Sequence, residues 1–139
     1  MPLDPTVFFD LATKQQPNPT GNGVDVAAVA ADDLRSMHLD FIAEDIEARI
    51  QMGEKKYGSR LKAFNGRDVF TDLGQELLDA INYAKQAQLE GKDDGSLFKL
   101  VVAVTVLIEK KWKLPVDSYQ EKELWTSLLR SIDEIVKTK

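Results

Sequence analysis

From about Val26 to Met52 the polar and apolar positions alternate with a helical period. Ile42, Ile46 and Ile50 recur every four residues, with Leu39 on the same side. The pattern predicts a helix that stops near Gly53. A second periodic run, Leu73, Leu77, Ala80, Ile81 and Ala84, predicts a helix from about Asp68 to Glu90, ending before Gly91. A third helix is expected over Ser96 to Lys113, stopping before Pro115. Its β-branched run, Val101 to Val106, also suits a buried strand, but the length and the flanking "EKKWK" favour helix. Ser118 and Glu121 have capping-box spacing and open a last helix, with Leu124, Leu128, Ile132 and Ile135 as its apolar face.

The remaining segments read as punctuation. "QQPNPTGNG", Gln15 to Gly23, holds two prolines, two glycines and two asparagines and is the clearest loop. Ahead of it, Asp4-Pro5 resembles an N-cap with proline at the first helical position, so a short helix can run to about Lys14. Residues 1–23 alternatively form a flexible or partner-docking arm. The glycine-containing basic segment Gly53 to Asp68 reads as a loop with room for a helical turn, and "GKDDG" breaks the chain again. No hairpin or strand pair stands out. The expected class is all-α, a single domain of four or five helices over residues 1–139.

Composition narrows the chemistry. With 139 residues, 43% hydrophobic and 29% charged, the chain has the balance of an ordinary globular domain. A net charge of −5 argues against broad contact with nucleic acid polymers. There are no cysteines and one histidine, His38, so thiolate sites and His-rich zinc sites are excluded. His38 reads as structural or exposed. The amino terminus lacks a secretory pattern, and the longest apolar run, Leu100 to Ile108, is too short to span a bilayer. A cytoplasmic location without membrane partners is the expectation.

Two acidic stripes stand out against this background. Asp40, Glu44 and Glu47 lie at i, i+4 and i+7, within about 60° of one another on a helical wheel. Asp72, Glu76 and Asp79 repeat the spacing on the second helix. The i+3 and i+4 neighbours of Glu44, Glu47, Glu76 and Asp79 include no basic residue, and like charges at this spacing cost roughly 0.2–0.5 kcal/mol per pair. One such stripe is an ordinary solvated face. Two matched stripes flanking a basic loop suggest a shared cation, and hard oxygen donors suit Mg²⁺ or Mn²⁺. A di-iron bundle would need Glu-x-x-His motifs, which are absent.

"EDIE", Glu44 to Glu47, followed after 28 residues by "ELLD", Glu76 to Asp79, resembles the ExxE…ExxD signature of MazG-like nucleoside triphosphate pyrophosphohydrolases. The segment "RIQMGEKKYG…NGRDVFTDLGQELLDAINYA" is similar to phage-encoded members, including the MazZ type of 2-aminoadenine DNA pathways. The likeness covers about Asp40 to Ala87. It implies an all-α oligomer, a homodimer or homotetramer, acting in the host cytoplasm if phage-encoded. The implied reaction is attack of water on the α-phosphorus of an NTP or dNTP, giving the monophosphate and pyrophosphate. Glu44, Glu47, Glu76 and Asp79 match the metal positions, which would hold two or three Mg²⁺ (or Mn²⁺) ions.

Physical chemistry adds roles beside that likeness. Glu44 or Glu47 is the candidate general base. Lys55, Lys56 and Arg60 are candidates to clamp phosphates, and Asn82 and Tyr57 to contact sugar or base. The bland counterparts are a solvated basic loop for Lys55, Lys56 and Arg60, a helix-surface amide for Asn82 and a core-edge tyrosine for Tyr57. Trp112 and Trp125 read as packing residues. A purine substrate, dGTP or GTP, is expected first. The alternatives are a non-enzymatic helical interaction protein and the same fold acting on another nucleotide such as dUTP.

Overall fold

The computed structural model describes residues 11–21, 23–113 and 122–137. Five helices are described: α1 (Val26–Ser36), α2 (Asp40–Tyr57), α3 (Val69–Leu89), α4 (Ser96–Trp112) and α5 (Lys122–Lys137). Among the described residues, β pairing is limited to one isolated bridge between Asp25 and Lys62. The all-α expectation holds, and no described helix is long and apolar enough to cross a membrane. The Ser118–Glu121 capping box and most of the expected first helix lie outside the described residues; residues 11–13 are helical.

The chain divides into two compact units. Asp10–Asp72 form one, and Leu73 onward belong to the other. Helix α3 begins in the first unit and continues in the second.

In the first unit α1 packs on α2. The sequence pattern reads as one helix from Val26 to Met52, but the chain breaks at residues 37–39. The break has the hydrogen bonds of a Schellman motif. His38 N–H donates to Arg35 O (3.0 Å), and Leu39 N–H donates to Leu34 O (2.9 Å). His38 occupies the left-handed position, φ 61°, usually filled by glycine. The lone histidine is therefore an exposed turn residue. Leu39, buried just after the turn, then starts the apolar face that Ile42, Ile46 and Ile50 continue in half-buried positions. Ala31 of α1 and Ala43 of α2 have no exposed surface, so small side chains permit the close helix contact.

Helix α2 does not stop at Gly53. It continues through Lys55, Lys56 and Tyr57 and ends at Gly58, φ 79°, whose N–H donates to Glu54 O (2.8 Å). Gly53 costs helix stability but leaves the hydrogen-bond ladder possible, whereas Gly58 can adopt the left-handed cap without a Cβ penalty.

A strap, residues 16–21 and 23, runs along residues 60–68 of the same unit. Ala63 N–H donates to Val24 O (2.9 Å), Val26 N–H to Leu61 O (3.1 Å), and Thr20 N–H to Asn65 O (2.8 Å). A Cβ added at Gly23 would lie 1.9 Å from Ala63 O, so glycine there is a condition of the approach. Arg67 closes the strap by donating to Pro17 O (2.7 Å) while its guanidinium holds both oxygens of Asp72 (3.0 and 2.7 Å). The Gln16 amide donates to Asp68 O (2.7 Å) and accepts from Asp68 N–H (3.2 Å). Within the Pro/Gly-rich loop, Gln16, Pro17 and Thr20 thus bond residues 65–68 of the same unit.

In the second unit α3 and α4 are joined by a turn in which the Asp93 carboxylate accepts from Gly95 N–H (2.8 Å) and Leu97 N–H (3.1 Å). The Lys85 ammonium lies 4.0 Å from the Phe98 ring centre, linking the two helices. Fully buried Glu109 on α4 is met by the Lys113 ammonium at 2.6 Å.

Candidate functional site

Helix α2 places Glu44 and Glu47 one turn apart. Glu44 is exposed, with no ion pair or hydrogen bond to described residues. Glu47 is half-buried and held by Arg35 Nη2 at 2.7 Å. Glu47 has no basic neighbour at i+3 or i+4 on its own helix, as the spacing says, yet it is paired through tertiary packing. The partner comes from α1, which the Schellman turn brings back against α2. Asp40 is exposed in the first turn of α2.

On α3, Asp72 is likewise not free. Arg67 holds it bidentately, and this hydrogen-bonded cation, with Gln16 assisting, keeps its carboxyl below the ordinary range. Glu76 and Asp79, one turn apart, are exposed and make no ion pair or hydrogen bond to described residues. Asn82 is exposed one turn further on. Glu44 and Glu47 thus belong to the first unit, and Glu76 and Asp79 to the second. Among the described residues neither unit by itself gathers three Asp, Glu, His or Cys side chains into a metal-holding group.

The basic candidates separate. Lys55 and Lys56 lie exposed in the last turn of α2, and the Lys56 ammonium sits 5.2 Å from the ring centre of exposed Tyr57. Arg60 does something different. Its Nε donates to Asp25 Oδ2 at 2.5 Å and its Nη2 to Asp25 Oδ1 at 3.4 Å, while Lys62 Nζ stands 3.8 Å from the same carboxylate. Asp25 also caps α1 by accepting from Ala28 N–H (3.1 Å). The Arg60 hydrogen bond first, and the Ala28 N–H second, hold the Asp25 carboxyl below its ordinary value.

Arg60 and Lys62 also line a cleft of about 340 Å³ between strap and loop, with Thr20, Glu54, Ser59 and Asn65. All of these lie within the first unit. Glu54, Lys62, Asn65, Ser59 and Thr20 do not stand out in the sequence, because nothing in their spacing signals that a strap more than thirty residues away would close over them. The paired prolines and glycines around Thr20 mark the turn but not its docking place.

The chain matches no protein-family model, no curated protein and no solved structure.

Proposed function

We propose that this chain is an Mg²⁺-dependent (d)NTP pyrophosphohydrolase of the MazG-like kind, acting on dGTP or GTP and releasing the monophosphate and pyrophosphate. One observation carries the reading. Glu44, Glu76 and Asp79 are exposed carboxylates on two helices, spaced by helical turns from a further acid, and no described cation neutralises them. The donor set is all oxygen, which fits Mg²⁺ or Mn²⁺ and disfavours softer metals. Bound there, the metal supplies charge neutralisation of the triphosphate and a more acidic water.

The chain's own residues take defined parts in this proposal. Glu44, Glu47, Glu76 and Asp79 are the metal ligands. Glu47 is already held by Arg35, so Glu44 is the freer carboxylate to receive the proton of the attacking water. Lys55 and Lys56, exposed at the end of α2, are available to the phosphates, and Asn82 and Tyr57 to the sugar or base.

Self-assembly as a helical homodimer or homotetramer is part of the same proposal. Leu97, Leu100, Val104 and Leu107 follow at 3-4-3 spacing along α4, and all four are exposed. Such a seam of apolar side chains on one helix face is what a second helix covers. The same seam is the observation that favours the rival, a helical interaction protein with no catalysis.

Thermal unfolding with increasing MnCl₂ against NaCl of equal ionic strength separates the two. The hydrolase reading expects a rise in Tm that grows with Mn²⁺ and disappears in Glu76→Gln/Asp79→Asn. Equal shifts in MnCl₂ and NaCl would remove the metal site and leave the rival.

A further inference from the structure

We infer that one face of α2 is a two-fold contact that meets the same face of a second copy of this chain, with the two helices antiparallel. This contact goes beyond the α4 seam. It uses a different helix, and it needs neither a metal nor catalysis.

Phe41, Asp45, Arg49 and Met52 follow one another along α2 and lie within about 80° on a helical wheel. All four are exposed, Phe41 by 61% and Met52 by 66%. Another side of the same helix is packed on α1. Two large apolar side chains left this open on one face are what a partner surface covers. The acidic stripe of Asp40, Glu44 and Glu47 is centred about 130° further round the helix, so the contact leaves it open.

The charges say which partner fits. Asp45 and Arg49 are four residues apart, the spacing at which an acid followed by a base pairs along its own helix. They do not pair with each other, and neither makes a hydrogen bond or ion pair to any described residue. The face reads apolar, acid, base, apolar, and that order is its own complement when reversed. About a two-fold axis level with Glu47, Asp45 of each copy stands opposite Arg49 of the other, giving two ion pairs. Phe41 of each copy stands opposite Met52 of the other, a sulfur–aromatic pairing made twice. A parallel arrangement would instead set Asp45 against Asp45 and Arg49 against Arg49.

The surroundings strengthen those ion pairs. Val26, Ala27, Ala30, Ile46, Ile50 and Leu61 line an apolar recess of about 500 Å³ between α1 and α2, and Asp45 and Arg49 also line it. The recess lies wholly within the first unit. Phe41 and Met52 flank the two charges on the other side of the row. Covered by a second α2, the charges would sit between apolar surfaces, where salt screens them less than on an open helix.

The test is sedimentation velocity of the full chain in metal-free buffer, up to about 100 μM, since a contact of one helix per copy is at the small end of interfaces. The wild type should self-associate. Asp45→Arg alone, or Arg49→Asp alone, sets like charges opposite each other twice, and each should weaken association by about tenfold or more and halve the mass of the assembly. An equimolar mixture of these two single variants should regain the wild-type mass, because one copy then carries two bases and the other two acids. Pairing within a chain cannot produce that rescue. The chain carrying both substitutions is self-complementary again and should assemble as the wild type does. Far-UV circular dichroism should be the same for all, since both positions are exposed. A monomeric wild type, single variants that keep the wild-type mass, or a mixture that stays at the lower mass would overturn the inference. Hydrolysis plays no part in the readout, so the contact and the catalytic reading fail separately.

Discussion

Arg35 Nη2 lies 2.7 Å from Glu47 Oε1, tying the last turn of α1 to the acidic face of α2. Both side chains remain partly open to solvent, so the pair is a modest stabiliser. Its larger effect is on what Glu47 can bind. A cation approaching Glu47 competes with the guanidinium. Arg35→Gln should therefore tighten Mn²⁺ by about two- to fivefold, read by calorimetric titration. Unchanged or weaker Mn²⁺ affinity would mean that Glu47 is not a ligand.

The Arg67–Asp72 clasp should control the strap. Arg67→Ala removes the bidentate pair and the bond to Pro17 O together. Hydrogen exchange should then rise at Thr20 and Ala63 N–H while the α1 and α2 amides stay protected. Loss of protection throughout the first unit would show instead that the strap is integral to its folding.

The same region should be acid-sensitive. Asp25 and Asp72 both titrate below their ordinary 3.8, Asp25 through Arg60 and Asp72 through Arg67. A carboxyl with a lowered folded pKa adds stability that is full above the unfolded value and is lost as pH falls through the folded one. Strap protection should hold down to about pH 4 and fall below it, and Asp72→Asn should reduce protection at neutral pH and flatten the acid response.

Two glycines separate sterics from conformation. Gly23→Ala drives a Cβ into Ala63 O and should cost about 1–3 kcal/mol and detach the strap. Gly58→Ala meets no atom within 4 Å, and its cost, about 1–2 kcal/mol, is the left-handed backbone alone. Denaturant unfolding with strap exchange as a second readout distinguishes them, because only Gly23→Ala should release the strap bonds of Thr20 and Ala63.

Helix positions were legible in the sequence wherever a 3.6-residue period met a clear stop. The expected Asp68–Glu90 and Ser96–Lys113 helices correspond to Val69–Leu89 and Ser96–Trp112. The break at His38 was hidden, because the apolar period runs on through it and histidine carries no turn signal. The end of α2 was misplaced because Gly53 precedes the glycine that actually caps. Acidic spacing was visible, but the ion pairs of Glu47 and Asp72 were not. Arg35 is brought in by tertiary packing, and Arg67 lies five residues before Asp72, outside the i, i+3 and i, i+4 rule. The cleft was beyond reach for the same reason: its lining comes from segments some forty residues apart, joined by backbone bonds that no side-chain pattern announces.

The central claim is tested most directly by pyrophosphate release from dGTP in the presence of Mg²⁺. The wild-type chain should release one pyrophosphate and one dGMP per dGTP, with no inorganic phosphate. Glu76→Gln and Asp79→Asn should each abolish release while retaining helical circular dichroism. Absence of turnover of every NTP and dNTP, with Mg²⁺ and with Mn²⁺, would contradict the account.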